Sequence, residues 1–186
     1  MSSKSFKVTF TLDEKDANYF RALFRKAKAA AKDEDPDEIL RAAKALVKSV
    51  RSSPRTPRFV QEAADSLEDL TQIIEDKDYK ASKAVRSQVI GALAYFANPD
   101  DLIPDDIPVL GFLDDAIMIK FVEDEFKHEL WAYRKFRKFR AGAEQRPWTK
   151  VASDRLPGRL DVQRKKLRAH VEAKKKADIA RDRSGF

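Results

Sequence analysis

The stretch Asn98-Pro-Asp-Asp-Leu-Ile-Pro-Asp-Asp-Ile-Pro-Val-Leu-Gly-Phe-Leu-Asp-Asp115 decides the fold of this 186-residue chain. Its prolines, Pro99, Pro104 and Pro108, fix the backbone of three short turns. The apolar residues between them are expected to hold those turns against a hydrophobic core. We therefore expect a stiff bend that holds six carboxylates between two apolar helices.

On both sides of this bend, apolar residues recur at steps of three and four, which predicts an all-α fold. Asp13 and Asp35 are expected to cap the first two helices, and Thr56 the third. The fifth and longest helix is predicted to be the central packing element. Alternation of apolar and polar residues over 6–12 predicts one short N-terminal strand. The prediction is a bundle of about five helices, covering roughly residues 13–32, 35–50, 56–74, 81–97 and 113–140.

The distribution of charge is more informative than the net charge of +7. Residues 98–129 contain ten acids and two lysines, whereas residues 134–183 contain eighteen bases and six acids. Such a basic segment could bind a polyanion. It could equally fold back and pair with the acidic centre of the same chain. The chain has no cysteine, which excludes disulfides, thiol nucleophiles and cysteine zinc sites.

We predict that the chain consists of two parts: a helical domain, residues 1–141, and a basic C-terminal extension, residues 142–186. Gly142 and Pro147 mark the boundary, because both residues favour the end of a helix. Residues 160–183 are mostly Lys, Arg and Ala, with a thin apolar stripe. We expect this helical extension to be exposed, frayed or dependent on a partner.

The acidic proline segment resembles the signature of the YkvA family, mostly bacterial helical proteins whose domain has no assigned function. The resemblance covers about residues 85–121 and implies a helical hairpin around the turn, without implying an activity. Some members have more apolar hairpins and a membrane association, whereas this chain is more charged. The residues that carry the resemblance are Pro99, Asp101, Pro104, Asp105, Pro108, Gly111, Asp114 and Asp115.

Three roles are open for the carboxylates of this segment. They can cap the short helices that follow them, since an Asp accepts hydrogen bonds from free backbone N–H groups. They can pair with Lys or Arg from the extension or from a partner. They can also bind Mg²⁺ or Ca²⁺, which prefer oxygen ligands. The metal ligands would then be Asp101, Asp105, Asp114 and Asp115.

Clustered bases at the end of the central helix and in the C-terminal extension predict a site for a polyanion, either nucleic acid or an anionic membrane surface. Tyr133 and Phe136 alternate with bases there, although helical spacing also fits a core stripe with solvated bases. The candidate residues are Arg134, Lys135, Arg137, Lys138, Arg140, Arg164, Lys165, Lys166, Arg168, Lys174, Lys175 and Lys176.

Two further patterns carry weaker functional signals. Glu125 and His128 form half of the Glu-x-x-His pair of di-iron bundles, but the second copy is missing. The strand followed by helices resembles a ribbon-helix-helix DNA-binding dimer in layout, with Lys7, Thr9 and Thr11 facing the bases.

The longest uncharged stretch, 87–99, is shorter than the ~20 residues of a membrane span, so no transmembrane segment is expected. We expect a cytoplasmic protein, with peripheral attachment to a membrane left open. The function that fits best is a non-enzymatic interaction or scaffold module with an acidic turn and a polyanion-binding tail. It would bind a polyanion or a protein partner. The rival functions are a divalent-metal-dependent enzyme that uses the Asp cluster and the DNA-binding dimer.

Overall fold

The computed structural model describes residues 11, 13–31, 34–53, 56–97, 112–144 and 150–184. These residues form α-helices and one short 3-10 helix, which confirms the all-helical prediction for them. The predicted strand lies outside the described residues except for Thr11, which is not in a strand. The helices are α1 (Glu14–Ala30), α2 (Pro36–Ser52), α3 (Arg58–Glu75), α4 (Lys83–Leu93), the 3-10 helix (Ala94–Ala97), α5 (Leu113–Glu125), α6 (Lys127–Glu144) and α7 (Lys150–Ser184).

The predicted starts of the first two helices are confirmed. Asp13 caps α1 in a reciprocal arrangement with Asp16, and Asp35 caps α2 ahead of Pro36. The third start is wrong by one residue, since the N-cap of α3 is Pro57, which makes no side-chain cap bond. The Thr56 hydroxyl instead donates to the carbonyl oxygens of Val50 and Ser53, at 3.0 and 3.1 Å. Thr56 therefore closes the turn after α2.

The number of helices is seven in the described residues, not five, and one reason is a break in the predicted long helix at 113–140. Phe126 has φ −102° and ψ 14°, outside the α-helical region, and separates α5 from α6. The hydrogen bonds around it continue, from Phe126 N–H to Val122 O at 3.0 Å and from Leu130 N–H to Phe126 O at 2.9 Å. Because the apolar spacing also continues, the sequence pattern gives no sign of the break. The other additional helix is α7, which the prediction counted as the helical extension and not as part of the bundle.

Helix α3 lies at the centre of the bundle and packs against α2, α4, α5 and α6. Its residues Leu67, Leu70 and Ile73 are fully buried. Helix α1 covers α4, the 3-10 helix and α5, while α6 lies between α3 and α7. The side chains of Tyr133 and Phe136, which are among the largest fully buried ones, come from α6. The core therefore extends through α6 to the C-terminal part of the chain.

Helix α7 packs against α6, so the expectation of an exposed or frayed extension is wrong for one of its faces. Leu160, Arg164, Leu167 and Val171 are buried, at steps of four, three and four. This stripe is thin because α7 contacts essentially one neighbour, and most other α7 side chains are exposed. The three apolar residues belong to the same core as α3 and α6. The division of the chain between residues 141 and 142 stays a prediction.

Replacing Leu167 with alanine tests whether α7 contributes to the stability of the bundle. A buried Leu→Ala change costs about 2–5 kcal/mol, and we expect about 2–3 kcal/mol here because the helix lies at the edge of the core. Urea unfolding followed by circular dichroism measures the change. Val162→Ala is the matched control, since Val162 is 68% exposed on the same helix and should change stability by less than about 0.5 kcal/mol. Equal, small effects of both variants would contradict the packing of α7.

Candidate functional site

The acidic signature is only partly described by the structure. Asp101 and Asp105 lie outside the described residues, as do Pro99, Pro104, Pro108 and Gly111. Asp114 and Asp115 lie in the first turn of α5, and Asp114 is only 4% exposed. The N-cap of α5 is Phe112, which makes no side-chain cap bond. The two acids therefore occupy the first turn, where the helix dipole favours negative charge, rather than the cap position.

The metal hypothesis is not tested for the complete set of aspartates. Within residues 11, 13–31, 34–53, 56–97, 112–144 and 150–184, no group of three or more His, Asp or Glu side chains could hold a metal ion. Two of the four proposed ligands lie outside these ranges. Binding of Mg²⁺ or Ca²⁺ by Asp101, Asp105, Asp114 and Asp115 stays a prediction.

Arg134 and Arg137 of α6, which were predicted to bind a polyanion, donate hydrogen bonds to a carboxylate of α3. Arg134 Nε donates to Asp69 Oδ2 at 2.6 Å, and Arg137 Nη1 donates to Asp69 Oδ1 at 2.6 Å. Arg134 Nη2 also donates to Ser66 Oγ at 2.9 Å. Asp69 and Ser66 are buried on α3. Because a buried carboxylate needs a charged partner, these bonds fix α6 on α3.

Asp76, at the end of α3, binds the third arginine of α6. Arg140 Nη2 lies 2.9 Å from Asp76 Oδ2, and the hydroxyl of buried Tyr133 donates to the same oxygen at 3.2 Å. The backbone N–H groups of Asp78 and Tyr79 donate to Asp76 Oδ1 at 2.9 and 3.0 Å. Burial alone would raise the pKa of Asp76, but these hydrogen bonds and the charge of Arg140 lower it below its usual value. Burial and the nearby Asp76 charge raise the pKa of the Tyr133 hydroxyl.

The bases of α7 also have partners within the fold. Arg164 Nη1 donates to the carbonyl oxygen of Asp78 at 2.8 Å, and Arg168 donates to that of Lys80. Lys80 has φ 51°, a left-handed conformation that is unfavourable for a residue with a side chain. Lys175 Nζ lies 2.8 Å from Glu129, which is buried on α6. The turn after α3 and the start of α6 are therefore both bound to α7.

His128 has a structural contact rather than a partner in a metal site. Its Nε2 lies 2.7 Å from Asp178 Oδ2 on α7, and Lys127 Nζ lies 2.9 Å from the same oxygen. Hydrogen bonds from His128 and Lys127 lower the pKa of Asp178 to about 2. Glu125, the other half of the Glu-x-x-His pattern, pairs with Lys28 of α1 at 2.7 Å. The two residues thus bind different helices.

The twelve predicted polyanion-binding residues therefore divide into two groups. The first group is bound within the fold: Arg134, Arg137, Arg140, Arg164, Lys165, Arg168 and Lys175. The second group is exposed and forms no ion pair with another described residue: Lys135, Lys138, Lys166, Lys174 and Lys176. Only the second group is fully available to an external anion.

Sequence reasoning missed Trp131, whose side chain marks a groove between α5 and α6. Trp131 is 39% exposed, and its ring stacks on His170 of α7 with centroids 4.5 Å apart. The spacing of Trp131, one turn after Lys127 and one turn before Lys135, was a signal that could have found it. The groove has a volume of about 470 Å³, and its lining comprises Lys120, Glu123, Asp124, Lys127, Leu130, Trp131, Arg134, Lys135 and Lys138.

Removing the Asp69 carboxylate tests the attachment of α6 to α3. Asp69→Ala should lower the free energy of unfolding by about 1–3 kcal/mol, because two charge-assisted hydrogen bonds are lost while both arginines regain water. Asp65→Ala is the control on the same helix, and its side chain is 67% exposed. It should change stability by less than about 0.5 kcal/mol. If urea unfolding shows equal losses for both variants, the bonds of Asp69 to Arg134 and Arg137 do not hold α6 on α3.

Comparison with known proteins supports the family resemblance for one segment. Residues 85–121 match the model of a protein family of unknown function, DUF1232. The chain is 37% identical over 67 residues to the "Uncharacterized membrane protein YkvA" of Bacillus subtilis (strain 168), a match covering 33% of this chain and 63% of that relative. The chain thus spans less than two thirds of this relative's length. No solved structure matches the chain.

The described helices can also be compared with the length and polarity of a membrane span. None of them is both long enough and apolar enough to cross a bilayer. The family match covers the residues singled out in the sequence. Residues 85–121 are similar to the DUF1232 family, and the chain is similar to YkvA over a segment of 67 residues.

Proposed function

We propose that this protein is a non-enzymatic interaction module that attaches to an anionic membrane surface through an exposed basic face of α6 and α7. The observation that carries the proposal is a set of four lysines around Trp131 that have no ion-pair partner among the described residues. We call this set the basic face: Lys135, Lys138, Lys166 and Lys174.

Helix geometry brings the four lysines of the basic face together. On α6, Lys135 follows Trp131 by one turn, and Lys138 follows it by two. On α7, the ring of His170 stacks on Trp131, while Lys166 and Lys174 lie one turn before and after His170. The stacked pair therefore joins the two halves of the face. Lys176 lies on a different side of α7, six residues from His170.

A membrane surface fits this face better than a nucleic acid does. Tryptophan is enriched at the level of lipid headgroups, where its ring is half in water. The partial relative from Bacillus subtilis is named a membrane protein, while no described helix of this chain could span a bilayer. Peripheral attachment accommodates both findings.

The expected strength of attachment follows from the charges of the basic face. A base near an anionic leaflet contributes about 1 kcal/mol, so four lysines give about 4 kcal/mol, or roughly a thousandfold in affinity. The cytoplasmic leaflet carries the negative lipids, which agrees with a cytoplasmic location. The metal-dependent enzyme and the strand-based DNA-binding dimer depend on residues outside the described ranges, and no observation favours them. A protein partner stays a prediction.

Neutralising the basic face tests the proposal. The variant carries Lys→Gln at 135, 138, 166 and 174, and flotation with vesicles of phosphatidylcholine and phosphatidylglycerol measures binding. We expect binding to fall at least a hundredfold, and wild-type binding to weaken as salt is raised. In the control variant, four other bases are replaced with Gln: Lys15, Arg25, Lys26 and Lys48. These residues are exposed on α1 and α2 and form no ion pair with another described residue. The control variant should bind like the wild type.

Two results would contradict the proposal. One is equal vesicle binding by the two variants, which would mean that net charge and not the basic face attracts the membrane. The other is the absence of vesicle binding together with binding to duplex DNA or RNA that only the basic-face variant loses. That result would identify a nucleic-acid-binding module instead.

A further inference from the structure

We infer that the groove between α5 and α6 is a binding site for a phosphate monoester, with a monoester lipid headgroup as its expected source. This inference rests on the proposed function and adds a defined ligand class to it. The groups that carry the argument are the Arg134 guanidinium, the Trp131 indole N–H and the ammonium groups of Lys135 and Lys138, which belong to four of the residues that line the groove.

Arg134 is held in position by the fold and still has unused hydrogen-bond donors for an anion. Asp69 binds its Nε at 2.6 Å, and Ser66 binds its Nη2 at 2.9 Å. A guanidinium has five N–H donors, and Nη1 of Arg134 donates to no other described residue. The Arg134 side chain is 45% exposed and lines the groove. Asp69 and Ser66 thus hold in place a guanidinium that is partly unused and lines the groove.

The indole of Trp131 is a second fixed donor. Its ring is held on one face by His170, with centroids 4.5 Å apart and an angle of 28° between the planes. An indole nitrogen can only donate a hydrogen bond, and this one donates to no other described residue. A bound anion would supply an acceptor that water supplies otherwise.

Two of the four lysines that line the groove have no ion-pair partner among the described residues and are available to a ligand. Lys120 is held by Glu123 at 2.8 Å, and Lys127 is held by Asp178 at 2.9 Å. Lys135 and Lys138 have no such partner among the described residues. The two acids among the lining residues, Glu123 and Asp124, pair with Lys120, which offsets part of their repulsion of an anion.

This combination of donors matches a phosphate monoester better than a diester. A monoester carries about −1.5 to −2 charges at neutral pH and has three strong acceptor oxygens. A diester headgroup has a single charge and fewer free oxygens, so it cannot use the guanidinium, the indole and both lysines equally well. The volume of about 470 Å³ lies within the usual range of small-ligand sites.

A comparison of two vesicle types tests the ligand class. Phosphatidylcholine vesicles contain either phosphatidic acid, a monoester, or phosphatidylglycerol, a diester, at equal surface charge. We expect the wild type to bind the monoester vesicles about tenfold more tightly. Lys135→Gln with Lys138→Gln should abolish that ratio. Lys166→Gln with Lys174→Gln, the same charge change outside the groove, should weaken binding to both vesicles and keep the ratio.

A soluble arm separates the groove from the membrane. Glycerol 3-phosphate should shift the indole N–H resonance of Trp131 in NMR spectra of the wild type and of the Lys166/Lys174 variant. It should not do so in the Lys135/Lys138 variant. Trp131→Phe assigns the resonance.

The outcomes separate this inference from the proposed function. Equal binding to both vesicle types, with an unshifted indole resonance, would overturn the phosphate monoester site and leave membrane attachment intact. A saturable indole shift without vesicle binding would support the site, identify its ligand as a soluble monoester and overturn membrane attachment.

Discussion

The bonds between buried carboxylates of α3 and arginines of α6 are the constraint on which the rest of the structure depends. Asp69 binds Arg134 and Arg137, and Asp76 binds Arg140. A carboxylate removed from water requires such partners, so α6 cannot slide or rotate on α3 without leaving a charge unpaired. These bonds fix the direction of Trp131 and of the lysines that follow it. The position of the groove is therefore a consequence of the packing of α3 and α6.

Bonds of this kind also reduce the number of bases in the C-terminal half that are available to an external ligand. The segment has a large excess of Lys and Arg, but seven of the twelve candidate bases bind acceptors within the fold. Most of these bonds join α6 or α7 to another part of the bundle, as in the pair of Lys175 with Glu129, whereas the pair of Lys165 with Asp161 lies within α7. The other five, Lys135, Lys138, Lys166, Lys174 and Lys176, are exposed and form no ion pair with another described residue. Net charge thus overstates the number of bases that an external anion could bind.

Much of the fold could be predicted from the sequence, because helix caps and apolar periods are local signals. Asp13 and Asp35 are observed at the predicted starts of α1 and α2. The break at Phe126 could not be predicted, since the apolar spacing runs through it without interruption. The packing of α7 was also missed, because the three apolar residues Leu160, Leu167 and Val171 suffice for a helix with one main neighbour.

The site was predicted less completely, because its residues are chosen by tertiary contacts. Arg134 and Asp69 are 65 positions apart, and no local pattern indicates that they pair. Trp131 had a visible signal in its spacing from the lysines, whereas its stacking on His170 depends on the docking of α7. The acidic turn, which dominates the sequence, lies largely outside the described residues, so its predicted role as a metal site or as a set of helix caps is still to be tested.

Lysine reactivity tests the central claim most directly. The claim is that some lysines are held in ion pairs within the fold, whereas others are exposed and available to a ligand. The protein is acetylated with a water-soluble reagent, with and without phosphatidylglycerol vesicles, and each lysine is quantified by mass spectrometry. We predict that Lys135, Lys138, Lys166 and Lys174 react fast in the free protein and at least about tenfold more slowly with vesicles, whereas Lys175 reacts slowly in both. If Lys175 reacts as fast as these four, or if vesicles protect them no more than Lys48, the claim is contradicted.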